Sequence, residues 1–194
     1  MTKALLDESL AALRDVVANL GPGDLHRPTP CSAWDVTQVV QHATGDQVGW
    51  AAVVGGGPFP TEDPFQPSGK LATDANALVD EALARAEAAW ATVSPDAAEV
   101  PTPLPTGPMT YALATAACAL DAAVHAWDIA VASGGPSPLT PERARGLLPA
   151  ARVIAEPLRG FAFAAPLDPQ PGHDDVATLL RYLGRDPHWT AAAS

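Results

Sequence analysis

The chain has 194 residues, 47% of them hydrophobic and 17% charged, with a formal net charge of −11 at pH 7. This length suffices for one well-buried core, and the composition is that of a soluble globular protein. The acidity excludes nucleic acids and anionic membranes as expected partners, because both are bound through clusters of Lys and Arg.

The first predicted helix covers about residues 3–20. Its apolar residues recur with 4-3-4-3 spacing from Leu6 to Leu20, which is the stripe of an amphipathic helix. The LGPG sequence at its end stops it, because proline cannot continue a helix.

The second predicted helix covers about residues 33–54. Ser32 is its expected N-cap, and the carboxylate of Asp35 lies in its first turn. The sequence GGGP ends it, and the Pro/Gly-rich residues 55–70 are expected to form a loop.

Two further long helices are predicted over about residues 71–94 and 109–133, joined by a Pro-dense connector. Residues 109–133 are apolar enough to span a bilayer. Three ionisable groups near their centre make insertion costly, so a buried helix of a soluble bundle is expected instead.

Two short helices are predicted at the C-terminal end. Thr140 as N-cap, followed by proline, predicts one helix over about residues 141–157, kinked or split at its internal proline. Another is predicted over about residues 174–184. Beyond it Arg185 can meet an anionic substrate, but we expect it at the surface beside Asp186.

The predicted architecture is all-α, a single domain over residues 1–194 with a four-helix bundle and one or two extra helices. Two cysteines, Cys31 and Cys118, are too few for a disulfide framework. The N-terminal stretch carries acids every few residues and predicts no signal peptide. We therefore expect a cytoplasmic protein with reduced thiols.

Three ionisable residues share one face of the fourth predicted helix. Asp121, His125 and Asp128 are spaced four and three apart, and each directly follows a core position. A carboxylate at that margin of the interior is costly unless it is paired or bound to a metal. Two interpretations are open: a local polar network around His125, or a metal site.

A histidine on the second predicted helix favours the metal site. His42 lies near the middle of that helix, and the middles of antiparallel helices in a bundle lie at similar heights. His42, Asp121 and His125 would form a ligand set suited to Zn²⁺, Ni²⁺ or Fe²⁺, with positions open for water or substrate.

Three stretches carry a family resemblance: TPCSAWDVTQVVQHATG, DAAVHAWDIA and LLRYLGRDP. Together they resemble the DinB-like superfamily, and within it the N-terminal, metal-binding domain of the mycothiol-dependent maleylpyruvate isomerases. The resemblance implies a DinB-like bundle that holds a divalent metal through His42, Asp121 and His125, with mycothiol as a thiol cosubstrate.

The chain departs from that family in two ways. The isomerases usually carry Glu where this chain has Asp121, which is one methylene shorter and requires closer helices or a bridging water. We also expect no room for the second, sterol-carrier-like domain of the full-length isomerases. Part of their substrate pocket would then be missing, so their substrate is not carried over.

Four further residues are candidates for supporting roles. Asp46 can accept a hydrogen bond from the second-helix histidine, or be a plain exposed carboxylate. Asp128 can do the same for the fourth-helix histidine, or bond a neighbouring helix end. Cys118 can approach the metal or a thiol substrate, or fill space in the core. Trp127 can form an apolar pocket wall, or belong to the core.

The sequence thus predicts a divalent-metal-binding protein. If it is an enzyme, we expect an S-transferase or isomerase that acts with a low-molecular-weight thiol such as mycothiol. A non-catalytic metal- or small-molecule-binding protein of the same fold stays open, as does an interaction module without a metal. The expected partners are a small-molecule substrate and a thiol, and the expected state is a monomer or homodimer.

Overall fold

The structure is a computed structural model that describes residues 2–191. Within that range the regular secondary structure is helical, apart from isolated β-bridges, so the all-α prediction is confirmed. The helices are α1 (Thr2–Ala18), α2 (Val36–Gly55), α3 (Ala75–Trp90), α4 (Tyr111–Ser133), α5 (Pro141–Ile154) and α6 (Asp175–Tyr182), with one 3₁₀ turn at Glu156–Leu158.

The first four helices form a DinB-like bundle. α1 packs against α3 and α4, and α2 packs against the same two helices, so each helix has two neighbours around a closed ring. α5 packs on the outside of α4, and α6 packs on α5. The additional C-terminal helices therefore cover one side of the bundle.

The core consists of the apolar stripes that the sequence shows. Leu6, Leu10 and Leu13 of α1 have no exposed surface. In α3, Leu83 has none either and Val79 is 1% exposed. Burying one such side chain contributes about 1.5–3 kcal/mol, so these stripes fix which face of each helix turns inward.

α4 is the central helix. Eighteen of its 23 residues are buried, because α1, α2 and α5 all pack against it. By length and composition α4 could cross a membrane, but 89% of its apolar window is buried inside the bundle. Its apolar character therefore serves the core.

α2 begins later than the sequence predicts, and the prediction of Ser32 as its N-cap is wrong. The cap is Asp35, whose side chain accepts from the backbone N–H of Gln38 at 2.9 Å, while the Gln38 side chain accepts from the Asp35 N–H at 3.1 Å. Ser32 lies exposed in the preceding turn. That segment folds into a turn in which the Trp34 N–H donates to the Cys31 carbonyl at 2.8 Å, and a backbone bridge joins Pro28 to Asp35, so the helix starts only after Asp35.

Two other helices differ from prediction in their extent. α3 begins only after its N-cap Asp74, because that side chain accepts from the backbone of the first turn. α5 is capped by Thr140 as predicted, but it runs unsplit through Pro149. The buried Leu147 and Ala151 anchor α5 on both sides of the proline, and this packing offsets the lost backbone hydrogen bond.

Candidate metal centre

A cavity of about 130 Å³ lies between α2, α4 and the C-terminal segment. Its polar wall includes His42 and Asp46 from α2, and Asp121 and His125 from α4. Each pair is spaced by four residues, so one turn of helix stacks its two side chains on the same face. The two helices therefore present their polar faces to one space.

The structure brings the three predicted ligands together. His42, Asp121 and His125 each offer a donor atom, and these atoms all lie within 4.8 Å of one another. The two imidazole rings meet edge to face, with their centroids 4.7 Å apart and an interplanar angle of 89°. The sequence-based expectation that the second-helix histidine reaches the fourth helix thus agrees with the geometry.

The ring of His42 is oriented by the loop that follows α2. Its Nδ1 lies 2.9 Å from the carbonyl oxygen of Pro64. A carbonyl only accepts, so Nδ1 carries the hydrogen and Nε2 presents its lone pair to the cavity. Of the two roles that the sequence leaves open for Asp46, it has neither: its Oδ2 lies 3.7 Å from Nε2, beyond hydrogen-bonding distance, and its side chain lines the cavity with 26% of its surface exposed. Pro64 takes the role of acceptor because its loop closes over α2.

The ring of His125 is oriented by its own helix. Its Nδ1 lies 3.0 Å from Oδ2 of Asp128, and its Nε2 lies 3.5 Å from Oδ1 of Asp121. Burial lowers the pKa of His125, which favours the neutral ring. Nδ1–H then donates to the Asp128 carboxylate, and Nε2 again presents a lone pair.

Asp128 is held as an anion although it is fully buried. Burial alone would raise its pKa, but the charge of Arg185 and the hydrogen bonds from His125 and Arg185 hold the pKa well below its usual range. Arg185 donates through Nε to Oδ1 at 2.9 Å and through Nη2 to Oδ2 at 2.8 Å. Such a two-point pair fixes the carboxylate plane and, through it, the imidazole.

The prediction that Arg185 lies at the surface beside Asp186 is wrong. Only 11% of its side chain is exposed. Gly184 adopts a left-handed backbone conformation with φ 81° at the end of α6, and the chain then turns back toward α4. The sequence LGRDP marks a helix end, but it does not show which element the arginine meets.

Burial makes the two carboxyl groups in the cavity harder to ionise than in water. Burial raises the pKa of Asp46 to about 7, and burial together with the charge of Asp46 raises the pKa of Asp121 to about 6. Gln47 donates to Oδ2 of Asp121 at 3.1 Å. Two carboxyls and two imidazole lone pairs thus face each other, and this donor set fits a divalent cation.

Two predicted supporting residues lie away from the cavity. Cys118 is fully buried and its thiol donates to Oε1 of Gln47 at 3.1 Å, so it belongs to the core beside the site. Trp127 is 2% exposed and does not line the cavity, so of the two roles that the sequence allows it, it has the one in the core. The helix period places Trp127 on the side of α4 opposite His125, whereas Cys118, three residues before Asp121 and seven before His125, lies beside their face.

Phenylalanines at the cavity were missed by the sequence analysis. Phe65, Phe161 and Phe163 line it. They come from segments outside the α-helices, where no periodic pattern indicates the direction of a side chain. Only folding brings these two segments to one place.

The sequence profile of the mycothiol maleylpyruvate isomerase N-terminal domain family matches residues 6–130, which is more than half of the chain. The chain belongs to this family. The match ends within α4 and includes the three candidate ligands, whereas α5, α6 and Arg185 lie beyond it.

Two relatives from Mycobacterium tuberculosis, in strains CDC 1551 and H37Rv, are described as uncharacterized proteins. Each is 35% identical over 180 residues, which cover 87% of this chain and 91% of the relative. The similarity therefore extends beyond the family domain and includes α5. No solved structure matches the chain significantly.

Proposed function

We propose that the protein binds one divalent metal through His42, Asp121 and His125, and that it is an S-transferase or isomerase acting with a low-molecular-weight thiol. One observation carries the proposal: both imidazoles have Nδ1 engaged, by Pro64 and Asp128, which leaves Nε2 of each ring available in a group of three side chains, with Asp121, whose donor atoms lie within 4.8 Å of one another. Outer partners of this kind set the tautomer and direction of metal-binding histidines.

The chemistry needed from the metal is that of a Lewis acid. A divalent metal held by His42, Asp121 and His125 would lower the pKa of a coordinated thiol or water and so supply a nucleophile at neutral pH. The chain's own residues hold the ligands in place and keep the site in a largely apolar cavity. Such surroundings strengthen electrostatic effects at the reacting atoms.

The reacting thiol comes from outside the chain. Cys31 lines the cavity, but burial and the charge of Asp128 raise the pKa of its thiol to about 12. Burial likewise raises the pKa of Cys118, which does not line the cavity. Both thiols stay protonated at neutral pH and are poor nucleophiles.

Mycothiol is the thiol that we assign to this role, because the family to which the chain belongs is named for it. A low-molecular-weight thiol stays reduced in the cytoplasm, which is the compartment that the proposal implies. The proposal needs a small organic electrophile as second substrate, and it needs no nucleic acid or membrane.

Metal binding is tested by calorimetric titration of chelator-stripped protein with Zn²⁺. We expect one site per chain, and a loss of affinity of at least 100-fold in His125→Ala and in His42→Gln. His188→Ala removes an exposed histidine outside the cavity and is the matched control, with unchanged affinity expected. Folded wild-type protein that binds no zinc, or equal affinity in all variants, would contradict the proposal.

Catalysis is tested by following mycothiol consumption with a panel of small electrophiles. We expect consumption by the zinc-loaded chain, and none above background with the stripped chain or with His125→Ala. If the loaded chain binds zinc but never accelerates consumption, the enzymatic part of the proposal fails and a non-catalytic metal-binding protein remains.

A further inference from the structure

We infer that the cavity beside the candidate metal centre takes an uncharged aromatic group of about one ring, so the electrophilic substrate is a neutral aromatic compound and not a carboxylate. The inference rests on the proposed function, since the metal would hold the reactive end of the substrate. It adds the class of compound, which the ligand set alone does not specify.

Aromatic side chains form one part of the cavity wall. Phe65 and Phe161 come from two different segments, yet their ring centroids lie 5.0 Å apart. The ring of Phe65 also lies edge-on to the ring of His42, with centroids 5.4 Å apart, and the ring of Trp34 lies tilted against the same imidazole, with centroids 4.6 Å apart. These distances are typical of favourable aromatic pairs, and a further ring placed here would meet the same geometry.

The two phenylalanines are unusually open to water. Phe65 is 41% exposed and Phe161 is 71% exposed, although both line a cavity that contains polar candidate ligands. Exposed apolar side chains at such a place mark a ligand site, because a bound apolar group removes them from water.

The remainder of the wall is mostly aliphatic and the cavity is small. At about 130 Å³ it is close to the size, on the order of 150 Å³, at which an apolar cavity accommodates benzene. One ring fits, and a large thiol can place only its sulfur end there. The aliphatic residues on the wall are Leu104, Leu120, Val124, Ile154, Leu158 and Leu183.

The charges on the wall disfavour an anionic substrate. Among the described residues that line the cavity, the Lys/Arg cation is Arg185, whose charge is paired with Asp128 through Nε and Nη2 and whose Nη2 also contacts the sulfur of Cys31. Asp46 and Asp121 lie on the same wall. A substrate carboxylate held away from the metal would meet two carboxyl groups of the protein and a guanidinium whose charge is already paired, so little would compensate its lost hydration.

Three hydroxamates that share one metal-chelating head test the inference by calorimetry on the zinc-loaded chain. We expect benzohydroxamate to bind at least 10-fold more tightly than acetohydroxamate, because only the former carries a ring. We expect 4-carboxybenzohydroxamate to bind at least 10-fold more weakly than benzohydroxamate. Equal affinities of the first two, or tighter binding of the carboxylate, would overturn the inference.

Variants show whether the ring occupies the aromatic wall. We define the ring preference as the ratio of the affinities for benzohydroxamate and acetohydroxamate. In Phe161→Ala, and in the Phe65→Ala/Phe161→Ala double variant, we expect this ratio to fall at least threefold. Phe59→Ala removes another exposed phenylalanine that does not line this cavity, and its preference should match the wild type. An unchanged preference in both variants would overturn the assignment.

A chain that binds no zinc contradicts the proposed function itself, whereas zinc binding without any ring preference contradicts only this inference.

Discussion

Asp128 has no exposed surface, yet it remains ionised because its neighbours satisfy both carboxylate oxygens. Arg185 contacts both of them, His125 donates to one, and the thiol of Cys31 donates to the same oxygen at 3.2 Å. Removing one partner from such a network leaves a buried charge without compensation. The network thereby couples the C-terminal segment to a candidate metal ligand.

Arg185→Met tests this coupling at a single residue. We expect the free energy of unfolding to fall by about 3–5 kcal/mol, because breaking a buried ion pair leaves Asp128 unpaired in the interior. Urea denaturation at pH 7 measures the change. Arg152→Met, at an exposed position of α5, is the control and should stay within about 0.5 kcal/mol of the wild type. Equal stability of the two variants would contradict the role given to Arg185.

The sequence indicates some of these residues and not others, for a physical reason. Asp121 and His125 are detectable because helix periodicity places them on one face beside the core stripe. His42 follows from the position of its helix in a bundle. Arg185 and Phe65 lie in irregular segments, where only the folded chain shows which element they meet.

At the scale of secondary-structure elements, α2 and its following loop are in unusually close contact. A Cβ built on Gly45 would lie 2.9 Å from Cγ of Pro64, whose carbonyl holds the ring of His42. The absence of a side chain at this helical position therefore lets the loop reach the imidazole. A Cβ on Gly49, one turn later, would meet nothing within 4 Å.

Gly45→Ala should therefore weaken zinc binding. The added methyl group pushes the proline ring away and lengthens its contact with His42, and losing such an outer contact typically costs 10–100-fold in metal affinity. We expect about a 10-fold loss by zinc titration. In Gly49→Ala the affinity should be unchanged, and stability should rise by up to about 1 kcal/mol because alanine favours the helix. Equal zinc affinity in both variants would contradict this account.

The start of α2 gives a second test at this scale. Asp35→Ala removes the observed N-cap and should lower the free energy of unfolding by about 1 kcal/mol. Ser32→Ala removes the cap that the sequence predicts and should change stability by less than about 0.5 kcal/mol, because Ser32 is exposed in a turn. Chemical denaturation of both variants decides between the two, and a larger loss in Ser32→Ala would show that the observed boundary is wrong.

For the whole molecule, the bundle follows from the sequence because four apolar stripes of helical period must bury one another. The helix ends follow less well, since Asp35 and Ser32 are both good caps by composition and the preceding backbone decides between them. The unsplit α5 has the same explanation, because packing on α4 outweighs the local effect of Pro149.

The helices beyond the matched family domain are integral to the fold. Leu147 of α5 and Leu179 and Leu180 of α6 are fully buried, and Arg185 closes the network at Asp128. Each buried leucine contributes about 1.5–3 kcal/mol, so together they rival the roughly 5–15 kcal/mol of stability of a typical domain.

A chain that ends at residue 140 should therefore lose cooperative unfolding. We expect it to retain helical far-UV circular dichroism, to lose its near-UV signal and to bind the dye ANS, because the outer face of α4 is uncovered. The same three measurements on the full chain are the control. A truncated chain that unfolds cooperatively at the wild-type midpoint would show that α5 and α6 are dispensable.

The proposal that side chains of α2 and α4 bind one metal ion is tested most directly by anomalous diffraction at the zinc edge, from crystals of the zinc-loaded chain. We expect one strong peak, about 2.0–2.2 Å from Nε2 of His42, Nε2 of His125 and a carboxylate oxygen of Asp121. No peak at this position in crystals that contain zinc, or a peak held by other side chains, would contradict the proposed metal centre.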